Sequence, residues 1–282
     1  MVAESPSNAF SDWIGRTGSR EEEITARPII GMLACLDKQA SAVNPGDPVP
    51  PLWHWLYFLP TYRTEESGHD GHAALGGELP PIPFPRRMWA GGRLTFAAPL
   101  RVGDRVRKTT EIKDIRIKSG RTGRLAFVTV RHELFGAEGL AVTEEHDIVY
   151  KETDSPAPAS SPEAPSGARL SREIHPSPLL LFRYSALTYN GHRIHYDRDF
   201  CKSEGYPGLI VHGPLLATLL VDLVLEGRAE SRIAAFQFRA VSPLFDTDAF
   251  FVHAKDAEGG MEVWAESSNG ALAMTGKVQF AG

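Results

Sequence analysis

The sequence predicts an α+β fold in which an antiparallel sheet wraps a central helix, built twice over in one chain. Three observations carry this: helix followed by strands in each half, a Pro-, Ser- and Ala-rich stretch between the halves, and a short segment of the first half echoed in the second. The dividing stretch, residues 153–167 (TDSPAPASSPEAPSG), holds no hydrophobic period and is expected to be an extended, solvated linker. It separates an N-terminal unit, residues 10–152, from a C-terminal unit, residues 168–282.

In the N-terminal unit Ile29, Ile30, Leu33 and Leu36 fall at helical spacing and predict an amphipathic helix over 24–36. Residues 45–85, rich in Pro, Gly and aromatics, read as irregular. From Met88 to Lys151 the pattern alternates and is rich in β-branched residues, which predicts antiparallel strands with turns at Ser119-Gly120 and at Gly136 to Gly139. In the C-terminal unit Pro214 to Leu225 is apolar on nearly every face, so that helix must be surrounded, and strands are expected within 232–244, 249–256, 261–268 and 271–280. The echo pairs LTFAAPLRVGDRV from Leu94 with FRAVSPLFDTDAF from Phe238, 144 residues on, placing Pro99-Leu100 on Pro243-Leu244 and Asp104 on Asp248. Two such units sharing a seam form a pseudo-dimer within one chain.

Composition excludes several classes. Thirty Lys and Arg against 35 Asp and Glu give a net charge of -5 with no basic stripe, which argues against nucleic acid as a partner. The longest apolar stretch, Leu215 to Leu225, is broken by Asp222 and is shorter than the roughly 20 residues of a membrane span, so no membrane association is expected. Cys35 and Cys201 stand alone, and the N-terminal segment lacks the basic and apolar regions of a secretion signal, so a cytoplasmic location is expected.

Polar chemistry is concentrated in residues 182–213, FRYSALTYNGHRIHYDRDFCKSEGYPGLIVHG. FRYSAL reads as a short strand, Tyr189-Asn190-Gly191 as a turn, and Ile194 to Asp199 as a short helical turn or loop. Gly213 precedes Pro214 and is expected to cap the apolar helix, its N–H the nearest free donor at the helix's positive end. A donor there suits an enolate oxyanion formed when water adds to an unsaturated thioester. His195 has the right chemistry to take the proton from that water and return it in the reverse direction. Asn190 can orient the water but cannot act as a base.

The run Tyr184-Ser185-Ala186-Leu187-Thr188, then Asn190, His195 and Asp197, with Gly213 eighteen residues after His195, resembles the motif of the MaoC or type 2 enoyl-CoA hydratase family. The resemblance implies two tandem hot-dog units forming a double hot dog. It also implies reversible hydration or dehydration of an α,β-unsaturated acyl thioester, with no cofactor beyond the CoA of the substrate and no metal. In that family an Asp and a His hold the catalytic water. The His maps onto His195, the Asp position holds Asn190, and the family's Asn-Pro pair is His192-Arg193, which leaves His195 as the principal base. FRYSALTYNGHRIHYD together with PLWHWLYFLP at 51–60 is similar to a subgroup of mesaconyl-C4-CoA hydratases, itaconyl-CoA hydratases and mitochondrial type 2 hydroxyacyl-thioester dehydratases. That implies a branched dicarboxylic enoyl-CoA or a carrier-bound acyl thioester as substrate, and an N-terminal unit that completes the substrate tunnel without being catalytic.

Tyr189, His192, Arg193, His212 and Arg239 are the candidate substrate contacts. Each has a plainer reading as well. Tyr189 can roof the pocket, His212 can pack behind the loop, and His192 with His195 has metal-like spacing but lacks a third ligand. Arg183, Arg193 and Arg239 suit phosphate or carboxylate, though surface arginines are common. The aromatic run 53–58 suits either an acyl pocket or a core. A hot-dog thioesterase and a non-catalytic acyl-binding protein are the alternative functions, and pairing of two chains as a homodimer is compatible with the pattern.

Overall fold

The computed structural model describes residues 10–39, 42–120, 123–152 and 161–282. In chain order the elements are β1 (Thr17–Glu23), α1 (Ala26–Cys35), β2 (Arg86–Phe96), β3 (Arg105–Gly120), β4 (Gly123–Gly136), β5 (Gly139–Lys151), β6 (Leu170–Ile174), α2 (Pro178–Thr188), α3 (Arg198–Ser203), α4 (Gly213–Gly227), β7 (Ile233–Ala240), β8 (Phe250–Ala257), β9 (Gly260–Ser267) and β10 (Leu272–Phe280). All strands join one ten-stranded sheet in the order β1-β3-β4-β5-β2-β7-β10-β9-β8-β6, and every pairing is antiparallel.

Outward from the β2–β7 seam the two sides read β2-β5-β4-β3-β1 and β7-β10-β9-β8-β6, the same connectivity twice. The sequence echo is visible in individual hydrogen bonds. Val49 N–H donates to the Leu100 carbonyl at 2.8 Å, and Val211 N–H donates to the Leu244 carbonyl at 2.9 Å. Ala97 and Ala98 both donate to Ala141, as Val241 and Ser242 do to Ala273.

Strand faces follow the period of two: on β4 Ala126, Val128, Val130, His132 and Leu134 are buried. The main core runs through both halves of the sheet, and a smaller one lies where Ile82 and Phe84 cover Ile112, Ile115 and Val128. Helix α4 is the central one, with every residue from Leu215 to Val224 buried and contacts to β6, β8, β9 and β10. Among the described residues no helix is long and apolar enough to cross a membrane.

Three local expectations change. FRYSAL is not a strand but the body of α2: the Ser177 side chain caps it by accepting from Leu180 N–H, Pro178 occupies the first turn, and Leu181, Tyr184 and Ser185 form the buried face. His212, not Gly213, is the cap of α4, and Gly213 is its first helical residue. Strand β3 runs through Ser119-Gly120 instead of turning there, and residues 121–122 lie outside the described residues. Of the expected linker, residues 153–160 also lie outside them, while the Pro162 carbonyl accepts from Leu272 N–H and Glu163 bridges Ala271.

Asp222, the polar break in the apolar helix, is buried and ion-paired with Lys38, just beyond α1, and with Arg172 of β6 at 3.0 Å. It ties the central helix to both halves. Glu226 shares both cations, so Asp222→Ala should cost about 2–3 kcal/mol, less than orphaning a buried pair outright. Urea unfolding with an unchanged slope and a lower midpoint would register that loss.

Candidate active site

The polar loop begins where α2 stops. Tyr189 takes the left-handed conformation (φ 52°) that closes the helix, and Asn190 N–H donates back to the Ser185 carbonyl at 2.9 Å. The Asn190 Oδ1 accepts from His192 N–H at 3.0 Å, an Asx turn that commits one end of the amide to shaping the loop. Asp197 accepts from Phe200 N–H at 2.9 Å, which caps α3, and also receives the Arg193 guanidinium at 2.7 Å.

His195 is buried at the end of this loop. Its Nδ1 lies 2.7 Å from the Ile210 carbonyl. A carbonyl only accepts, so Nδ1 carries the proton and Nε2 keeps its lone pair. The ring stacks on His212 with centroids 3.6 Å apart, and His212, wholly buried, bonds through Nε2 to the Ser185 hydroxyl at 2.8 Å. Burial pushes His195 down to about 3, outweighing the Ile210 carbonyl that pulls it up, and the nearby His192 and His72 lower it further. Burial likewise takes His192 to about 3 and His212 well below the ordinary value.

The other wall comes from the N-terminal half. Residues 61–73 fold over the loop: Arg193 N–H donates to the Asp70 carbonyl at 2.9 Å, and the Tyr62 hydroxyl donates to the Gly71 carbonyl at 2.7 Å. Gly71 and Gly191 meet backbone to backbone. A Cβ on Gly191 would stand 2.6 Å from the Gly71 carbonyl oxygen and 2.8 Å from the Tyr62 hydroxyl. His72 lies over His192, ring centroids 4.1 Å apart, and its own N–H and Nδ1 engage the two oxygens of Asp70 at 3.1 and 3.0 Å. Asp70, His72 and His192 are the one group among the described residues whose potential metal-ligating atoms all lie within 4.8 Å of each other. Both Asp70 oxygens are already taken, however, and the Arg87 guanidinium stands 3.7 Å away, so the local charge opposes a cation.

Gly213 lies against Trp89 of β2, whose ring also meets Trp55, His146 and Phe238 edge-on. The aromatic run 53–58 joins the main core, and His54 and Trp55 bond the buried carboxylate of Glu144 at 3.0 and 2.7 Å. Burial alone would raise Glu144, but His146 and His54 hold it well below the ordinary range.

The fold thus gathers Tyr189, Asn190, His192, His195, His212 and Gly213 in one place. It does not gather the two arginines. Arg193 is spent on Asp197 and on the Phe200 ring, and Arg239 lies on the exposed face of β7, opposite the buried Phe236 and Phe238, in a groove shared with Arg93 and Lys113. Sequence reasoning missed Tyr62, Asp70, His72, Arg87 and Trp89. The density of His-Asp-Gly-His at 69–72 was the available signal, inside a stretch that reads only as irregular.

The family model of hydroxyacyl-thioester dehydratase type 2 matches residues 52–246, crossing both halves of the sheet and the whole polar loop. The chain belongs to that family. Mesaconyl-C(4)-CoA hydratase of Chloroflexus aurantiacus is 44% identical over 273 residues, 96% of this chain and 97% of that one. The mitochondrial type 2 dehydratase of Schizosaccharomyces pombe is 25% identical, covering 74% and 77% of the two chains. Among solved structures, HtdX of Mycobacterium tuberculosis superposes with a TM-score of 0.67 at 18% identity over 94% of this chain and all of that one. A further M. tuberculosis protein, described as a double hotdog fold, superposes at 0.59 and 13% identity, over 95% and 96%. The fold is therefore the double hot dog, and the dehydratase family member is a hydro-lyase that handles an acyl thioester.

Because the Gly71–Gly191 contact leaves no room for a side chain, Gly191→Ala should push the two loops apart. We expect a stability loss of about 1–3 kcal/mol in urea unfolding. Hydratase activity should fall more steeply than stability, since the displaced loop carries the candidate base His195.

Proposed function

We propose that the chain hydrates a branched, carboxylated enoyl-CoA of the mesaconyl-C4-CoA kind, with His195 as base, Asn190 orienting the water and Gly213 N–H receiving the enolate oxygen. The observation that carries the reading is the Ile210 carbonyl on His195 Nδ1, which leaves Nε2 as the proton acceptor. Near-full-length similarity to the Chloroflexus hydratase supports the substrate class.

In the forward direction the water oxygen bonds to the β-carbon as its proton passes to His195 Nε2. The π pair moves onto the thioester as an enolate, and the proton then returns to the α-carbon. Imidazolium and enolate arise together, so each offsets the charge the other places in a dry site. Asn190 keeps its side-chain N–H groups for the water, because its oxygen is held by His192 N–H. At Gly213 a Cβ would meet only Trp89, at an ordinary 3.5 Å, so the fold itself does not demand glycine there. Close approach of a ligand does. The chemistry needs no redox cofactor or metal, and CoA enters as part of the substrate. Two lone buried cysteines suit a cytoplasmic setting.

The test follows the enoyl-thioester absorbance with a parallel free-thiol assay. Loss of the conjugated band without thiol release is expected from the wild type, and thiol release would identify a thioesterase instead. His195→Ala should lower kcat/KM by roughly 10²–10⁴-fold, while equal turnover by mutant and wild type would remove His195 from the mechanism.

The pH profile gives a second check. A base is lost when it is protonated, that is, as pH falls through its pKa. With His195 lowered to about 3, kcat/KM should show no acid limb near the ordinary histidine value of 6.5.

A further inference from the structure

A dicarboxylic acyl chain needs a place for its second carboxylate, and neither arginine of the expected substrate contacts offers one: Arg193 serves Asp197, and Arg239 lies on the outer face of the sheet. A different arginine is available. Arg87 of β2 has a side chain only 14% exposed; Asp70 stands at 3.7 Å, an ion-pair distance too long for a hydrogen bond, and the Tyr150 hydroxyl is another polar neighbour. The Asp70 oxygens make their close hydrogen bonds to His72, and at 3.7 Å this carboxylate does not hydrogen-bond the guanidinium fork. Arg87 is paired across the sheet with Tyr150 of β5, which brings the two side chains to one face. The Tyr150 hydroxyl is wholly buried: burial raises its pKa, the Arg87 guanidinium beside its oxygen lowers it, and its own O–H has no well-formed acceptor. Leaving that buried donor unmatched costs about 1–3 kcal/mol, which an acceptor shared by the phenol O–H and the Arg87 N–H groups would relieve.

We propose that Arg87 and the Tyr150 hydroxyl bind the free carboxylate of the acyl chain and so select dicarboxylic over simple enoyl thioesters. This rests on the substrate class proposed above. A guanidinium fork and a phenol present converging donors, the arrangement a carboxylate matches in two places at once. The position agrees with the chemistry of the substrate. In a 3-methylfumaryl chain the carboxylate is attached to the carbon that receives the hydroxyl, so its pocket must adjoin the water held by His195. Arg87 lies on the His192 side of that site, near enough for its charge to lower His192 further after burial and the neighbouring His72: Asp70 links it to His72, His72 lies over His192, and the His192 and His195 rings are 5.6 Å apart.

Calorimetric binding of a saturated analogue separates this proposal from the activity, because no turnover is needed. For methylsuccinyl-CoA with its free carboxylate, Arg87→Met should weaken binding by roughly 100-fold, against a few-fold for butyryl-CoA, which lacks the carboxylate. Tyr150→Phe, which removes only a hydroxyl, should weaken the first ligand by roughly 10-fold and provides the same test if Arg87→Met does not fold. The CoA phosphates are the rival anion. If the Arg87 effect survives with the methylsuccinyl thioester of N-acetylcysteamine, which carries no phosphate, the acyl carboxylate is the ligand. Equal losses for both CoA esters, or disappearance of the effect on the phosphate-free thioester, would overturn the proposal. Discrimination in binding by a wild type that hydrates nothing would keep the carboxylate site and dismiss the hydratase reading.

Discussion

Pairing between β2 and β7, from Gly91 opposite Arg239 to Thr95 opposite Ala235, is the constraint on which the rest of the molecule depends. It merges two half-sheets into one and thereby fixes what each half can reach in the other. The approach is close. A Cβ on Gly91 would lie 2.5 Å from the Phe238 carbonyl oxygen, so only glycine lets the strands meet at that register. Against β5, the register of β2 slips between Trp89 and Gly91, just where the seam begins. Irregularities of this kind re-aim side chains, and here Trp89 lies against Gly213 at the start of the opposing half's central helix.

Buried polarity is handled in two contrasting ways on either side of that seam. Around Glu144 a full charge is kept, because His54, His146 and Trp55 all converge on one carboxylate. Around His195 charge is refused: the rings stack on one another, burial dominates, and His192, His195 and His212 are all pushed toward the neutral form. The first arrangement is a structural knot that holds the aromatic run 53–58 under Trp89. The second leaves the His195 Nε2 unprotonated, as the proposed role of base requires.

Much of this was legible in the sequence, for identifiable reasons. Alternation exposes β4 directly, an apolar run with a single aspartate exposes α4, and crowding of polar residues exposes the loop from Asn190 to His195. Strands β1 and β6 were missed because TGSREEE and LSREI lie at the sheet's edges, where neither strand need alternate. FRYSAL misled because its aromatics suit a strand, while the Ser177-Pro178 start signal lies outside the motif. No local pattern could disclose residues 61–73 as part of the site. Their placement depends on Gly71 meeting Gly191, a contact between segments far apart in the chain, and only the assembled sheet sets that distance.

The duplicated connectivity makes the differences between the halves informative. Both keep the same strand order and the same carbonyl bonds at Leu100 and Leu244, so the sheet itself has been retained in both. What differs lies between the edge strand and the seam strand. In the C-terminal half that interval holds α2, the histidine loop and a fifteen-residue central helix, while in the N-terminal half α1 spans ten residues and a long irregular excursion follows it. A sheet already closed by one central helix of full length does not require a second. The N-terminal chain released in this way reaches across the seam with Tyr62, Asp70 and His72, while β2 and β5 bring Arg87 and Tyr150 together on one face beside Asp70. On the proposed reading, chemistry and selection are carried by different halves, so the acyl pocket can change without disturbing the bond between Ile210 and His195.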